Sequence, residues 1–81
     1  MGAKRRVRFF YPPHLVQHPV IYHLAREYNV VANIRRADVQ KEGGWIMMEL
    51  EGEEADLDGA LEWVSTLGIR VDPVDGDVLE G

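Results

Sequence analysis

The chain has 81 residues, 46% of them hydrophobic and 28% charged, with no cysteine and a formal net charge of −5. That length suits one small domain and that balance is globular. Without cysteine the chain has no disulfide scaffold, thiolate-held metal cluster or thiol nucleophile of its own. No apolar run reaches the roughly 18–20 residues of a membrane helix, and the basic start before Pro12-Pro13 lacks the apolar segment of a secretory leader.

In chain order, residues 1–6 are expected as a flexible N-terminus ahead of a domain spanning 7–74, with 75–81 as a flexible tail. Arg6 to Tyr11 alternates as a strand does, with Val7, Phe9 and Tyr11 on one face and Arg8 and Phe10 on the other. Pro12-Pro13 ends it, and a loop runs to His18. Pro19 fits the first position of a helix. Val20, Ile21, Leu24, Ala25 and Tyr28 then form an apolar helical stripe, and Asn29 suits a left-handed C-terminal residue.

Residues 30–40 read as a strand with a slip of phase. Val30, Ala32 and Ile34 share one parity, Ala37 and Val39 the other, and a one-residue bulge near Arg35-Arg36 would return all five to one face. Glu42-Gly43-Gly44 is expected as the hairpin turn. In the next strand, Trp45 to Leu50, Ile46, Met48 and Leu50 face one way, and Trp45, Met47 and Glu49 the other. Gly52 breaks that strand.

A second helix is predicted from about Glu54 to Leu67, with Leu57, Ala60, Leu61, Val64 and Leu67 as its stripe, Glu53 or Asp56 as its cap, and Gly68 just past its end. Gly59 inside it suggests a tight helix–sheet contact. Ile69 to Asp72 is a short last strand, stopped by Pro73.

The element order is βαββαβ. It predicts an α+β, ferredoxin-like sandwich: a four-stranded antiparallel sheet with two helices on one face. Right-handed crossovers make the strand order 4-1-3-2. The uncovered face then carries Phe10, Trp45 and Met47 on its central strands. Three large apolar residues clustered there are expected to form an interface, most naturally of a homodimer paired by sheet faces or sheet edges.

Charge divides along the chain. Residues 1–41 hold eight cations against two acids, and residues 42–81 one cation against twelve acids. The overall pI near 5.0, with no RNA-binding aromatic motif and no GXXG loop, argues against nucleic acid as a partner.

Other chemistry is sparsely supported. His14, His18 and His23 are divided between a proline-broken loop and a helix, so no metal site is expected. Ser65, the only serine, falls inside a helix with no nucleophile elbow. The acids near the second helix suit its dipole better than an acid–base couple. No cofactor and no enzymatic activity are expected. Asn33 stands out as a polar, poor strand former in mid-strand.

Val7-Arg8-Phe9-Phe10-Tyr11-Pro12, Pro19-Val20-Ile21-Tyr22, Tyr28-Asn29-Val30 and Asn33-Ile34-Arg35-Arg36-Ala37-Asp38-Val39, with Gly52 and Ala60-Leu61 behind them, together resemble a NIL domain, an ACT-like module named for an Asn-Ile-Leu triplet. Arg35 stands where that name has Leu, which looks more like the form found alone or joined to a ferredoxin. The resemblance implies a non-enzymatic regulatory role in sulfur amino-acid metabolism. In one branch such domains pair at the C-terminus of a methionine-importing transporter ATPase and bind methionine near the pairing surface. In the other they precede ferredoxin repeats in homocysteine synthesis. For this chain that implies a cytoplasmic domain binding methionine or a relative at or near a dimer interface. Asn33 and Ile34 would lie at the ligand, and alternation adds Met47 or Trp45 as an apolar wall. The alternative is a docking module for a ferredoxin-type or transporter partner, with no ligand and no membrane insertion.

Overall fold

The computed structural model describes residues 2–74. Four strands and two helices follow in the order β1 (Ala3–Tyr11), α1 (Val20–Tyr28), β2 (Val31–Gln40), β3 (Gly43–Gly52), α2 (Glu54–Thr66) and β4 (Arg70–Pro73), with one 3-10 turn at Pro13–Leu15. The sheet is antiparallel with order β2-β3-β1-β4. This is the expected ferredoxin-like arrangement. Its thinnest dimension, 16 Å, is one sheet and one layer of helices.

The core follows from alternation. Val7, Phe9 and Tyr11 of β1 sit beside Met48 and Leu50 of β3, and Val20, Leu24, Leu57, Ala60 and Val64 close over them from the helices. Phe9, Leu24, Met48, Leu50 and Leu57 have no exposed surface, and no polar side chain is fully buried among the described residues. Burying a side chain of this kind contributes about 1.5–3 kcal/mol, so this cluster supplies most of the cohesion of a chain this short.

Several boundaries differ from expectation. β1 begins at Ala3, so residues 3–6 are strand and not a loose terminus. β3 runs to Gly52 and gives them a ladder, Ala3 opposite Gly52 and Arg6 opposite Glu49. Arg5 is further tied to Glu54 and Asp58 of α2. The expected tail, 75–81, lies outside the described residues. Pro19 is the residue before α1, not its first residue, and it offers no capping side chain. The His18 carbonyl accepts the Val20 N–H instead, at 2.8 Å. Glu53 occupies the N-cap of α2 without a side-chain cap bond.

The hairpin turn is Lys41-Glu42, because Gln40 already pairs with Gly43. Both glycines are strand residues placed by close approach. Gly43 takes φ of 130°, and a Cβ on Gly44 would stand 2.5 Å from the Asp38 carbonyl oxygen. Asn29 takes the left-handed conformation expected of it, φ 56° and ψ 44°. A Cβ added at Gly59 would meet the Tyr28 ring of α1 at an ordinary 3.6 Å, so the neighbour of Gly59 is the other helix and the space there is not tight.

Candidate functional site: an exposed edge strand and an arginine-covered sheet face

Among the described residues, β2 forms one edge of the sheet and pairs only with β3. Its register shifts between Ile34 and Arg36, so the bulge falls where the change of parity required it. Ile34 lies opposite Met48, Ala37 opposite Ile46 and Val39 opposite Gly44, which returns all three to the helix side of the sheet. The helices do not reach that far. Of β2 only Ala32 is half-buried, and Val31, Ile34 and Val39 are 57, 55 and 46% exposed. Among the described residues this ten-residue strand has one unpaired edge, along which exposed apolar side chains alternate with Arg35, Arg36 and Asp38 and a bulge interrupts the ladder.

Between β2 and the start of α1 lies a groove of about 160 Å³, walled by Tyr11, His18, Ile21, Tyr22, Val39 and Ile46. It is apolar apart from ring edges. Burial pushes the Tyr11 phenol up to about 12. Ile21 and Tyr22, in the first turn of α1, are among its lining residues, and that turn has no side-chain cap.

Among the described residues, no helix covers the other side of the sheet. There Phe10 is paired with Trp45, and Arg8 with Met47. All three apolar side chains are nonetheless half-buried. Guanidinium groups cover them: Arg8 Cζ lies 5.1 Å from the centre of the Trp45 ring, and Arg70 Cζ 4.4 Å from that of Phe10. Arg8 Nη2 donates to Met47 Sδ at 3.8 Å. Arg70 is held by a two-pronged bond to Asp72, with Nη2 at 2.8 Å from Oδ2 and Nε at 3.3 Å from Oδ1, and this holds the Asp72 carboxyl below the usual range. Glu49 accepts from Arg35 at 3.1 Å and lies 3.5 Å from Arg6; the Arg35 bond holds its carboxyl low as well.

The residues singled out from sequence are thus distributed over both faces. Asn33 lies opposite Glu49 on the uncovered face of the edge strand, and Ile34 opposite Met48 on the other face. Met47 shares a face with Asn33 and is engaged by Arg8. Ile34 and Met47 therefore cannot wall one slot within a single chain. Arg35 bonds Glu49 on the uncovered face, so its charge does not enter the side on which Ile34 projects.

Phe10, Trp45 and Met47 do cluster, but under Arg8 and Arg70. Sequence reasoning missed that cover; the same alternation that placed Phe10 outward places Arg8 beside it, and only the pairing of strands brings Arg70 there. The groove beside α1 was also missed, since it needs β1, α1, β2 and β3 together. His18 and His23 have ring centres 5.8 Å apart, and no cluster of three metal-ligating side chains occurs among the described residues.

A four-stranded antiparallel sheet with two helices on one face, in the order βαββαβ, is the ferredoxin-like architecture. The NIL domain family model matches residues 5–73, and the chain belongs to that family. Its fold is similar to the crystal structure of the C-terminal domain of an ABC transporter / ATP-binding protein from Enterococcus faecalis. The TM-score is 0.79 at 24% identity, covering 88% of this chain and 83% of that one. No curated protein matches the chain. No helix among the described residues is long and apolar enough to cross a membrane.

Proposed function

We propose that this NIL domain is a non-catalytic regulatory module of the cytoplasm, which binds methionine or a related sulfur amino acid beside a dimer interface formed along β2. The observation that carries the reading is the unpartnered edge of β2, with Asn33-Ile34 at its middle and its apolar side chains exposed. Pairing with β2 of a second copy would satisfy that edge and cover Val31, Ile34 and Val39. An amino acid suits the adjoining groove. Its apolar side chain would lie against Ile21, Val39 and Ile46, with its charged groups left at the open mouth of the groove. The Asn33 amide, which both donates and accepts, would hold backbone groups at the pairing edge.

Family membership supports the regulatory part of this reading, and the likeness to a transporter ATPase domain agrees with a transporter as the regulated protein. A ferredoxin-type protein of homocysteine synthesis is the other partner that the family suggests.

Calorimetric titration with methionine and homocysteine, run beside sedimentation at several protein concentrations, tests both parts. Saturable heat, strengthened dimerisation on adding ligand, and loss of both in Asn33→Ala are expected. A folded chain that stays monomeric and takes up no heat at millimolar methionine would overturn the reading.

A further inference from the structure

We propose that the uncovered face of the sheet docks a separate protein whose contact surface is acidic, with Arg8 as the central anion-binding side chain. This goes beyond the ligand reading, because the groove and Ile34 lie on the opposite side of the sheet.

Charge in the folded chain is sorted between layers. The uncovered face carries Lys4, Arg6, Arg8, Arg35, Arg36 and Arg70 against Asp38, Glu49, Glu51 and Asp72. The helix α2 carries Glu54, Asp56, Asp58 and Glu62 and no cation. A chain of net charge −5 therefore presents one face on which cations outnumber acids. Strand pairing puts them there, since β1 and β2 bring the basic half of the sequence to the same surface.

The cations of this face are not all matched. Arg6 and Arg35 are shared by Glu49, and Arg70 is held by Asp72. Lys4, Arg8 and Arg36 have no carboxylate within ion-pair distance among the described residues, although Lys4 acts on Glu49, and Arg8 on Asp72 opposite it, through space. Arg8 is the informative one. It is half-buried at the centre of the sheet and stacked on Trp45. Its Nε is buried with no hydrogen-bond partner, and the thioether of Met47 is a weak acceptor for Nη2. A guanidinium stacked in this way keeps the edge of its plane for a carboxylate; the buried Nε is closed to a partner, and it is the Nη end, served within the chain by a thioether, that favours an acceptor arriving from outside. Arg70 and Asp72 already show that arrangement beside it, a ring-stacked guanidinium forked onto a carboxylate.

Arginine and aromatic side chains surrounded by polar groups are the composition of interface centres. A second copy of the same face is disfavoured, because like would meet like. Single-stranded nucleic acid is disfavoured because Arg8 and Arg70 cover the rings on which bases would stack, and the rest of the chain repels phosphate.

The test is an NMR titration of the full chain, followed at the Trp45 indole N–H and the Arg8 Nε–H. The probes are a short peptide of alternating glutamate and alanine, its glutamine counterpart, and oligouridylate. The glutamate peptide should give saturating shifts at both positions while the glutamine peptide gives none. Arg8→Lys, which keeps the charge but loses the stacked fork, should weaken binding about tenfold. Lys41→Gln, in the hairpin turn away from this face, should leave it unchanged. Equal shifts with the glutamine peptide would overturn the proposal. So would silence with the glutamate peptide, response to oligouridylate alone, or equal weakening by Lys41→Gln. Methionine titrated separately reports on the groove, so either reading can fail alone.

Discussion

Arg35 Nη2 lies 3.1 Å from Glu49 Oε1 across the bulge in β2, and this bond holds the third letter of the family triplet on the face opposite to Ile34. The bulge is what makes it possible. Without the extra residue the parity of Ala37 and Val39 would not match that of Ile34. Arg35→Leu should therefore leave the apolar character on the Ile34 side unchanged. Methionine affinity in R35L within about twofold of the parent is the expected result, measured by calorimetric titration.

Acid should weaken the fold through the same face. The Glu49 and Asp72 carboxyls are held below their ordinary values of 4.5 and 3.8, first by the hydrogen bonds from Arg35 and Arg70 respectively. A lowered folded-state pKa means the stabilisation is present above the ordinary value and is lost as pH falls through the lowered one. Urea midpoints should be level towards neutral pH and begin to fall below about pH 4.5. In Glu49→Gln the fall should be shallower, because one of the two carboxylates no longer takes up a proton.

Base should act through Tyr11. Its phenol is pushed up to about 12 by burial, from 10.0, so the neutral form is favoured in the folded chain. The corresponding stability is present below pH 10 and is lost as pH rises towards 12. Ultraviolet titration should find one of the three tyrosines ionising late and together with unfolding. Tyr11→Phe should remove that coupling.

Gly59→Ala should stabilise. A Cβ there meets only Tyr28 ring carbons at 3.6 Å, an ordinary contact, in the middle of α2. The gain in helix propensity is about 1 kcal/mol, a rise in Tm of roughly 4–8 °C for a domain this size. Scanning calorimetry measures it. Gly44→Ala should do the reverse. Its Cβ would strike the Asp38 oxygen and Val39 Cα at 2.5 and 2.6 Å, both backbone atoms. A loss of about 1–3 kcal/mol in urea unfolding is expected, with β2 and β3 forced apart.

Ile34→Asp separates assembly from folding. Ile34 is 55% exposed in the single chain, so the substitution should hardly alter unfolding at low concentration. It should abolish concentration-dependent sedimentation if β2 is the pairing edge. An unaltered sedimentation profile in a protein that does dimerise would place pairing elsewhere.

Periodicity alone determined the order of elements, the inward set from Val7 to Val64, and the bulge beside Arg35. Each is a local consequence of which side chains alternate or recur, and burial rewards only one phase. The NIL resemblance was legible too, because its residues lie in short contiguous runs. What the sequence could not settle depends on which strands become neighbours. The strand status of Ala3–Arg6 needed a β3 long enough to pair with them, and the role of Gly44 needed Asp38 across the hairpin. The groove beside α1 needed four elements at once. The cover over Phe10 needed Arg70, sixty residues along the chain, to arrive on the adjacent strand. The basic half of the chain looked like a property of its composition. Strand pairing made it a property of one face, because charge acts through distance in space and separation along the chain says little about that distance.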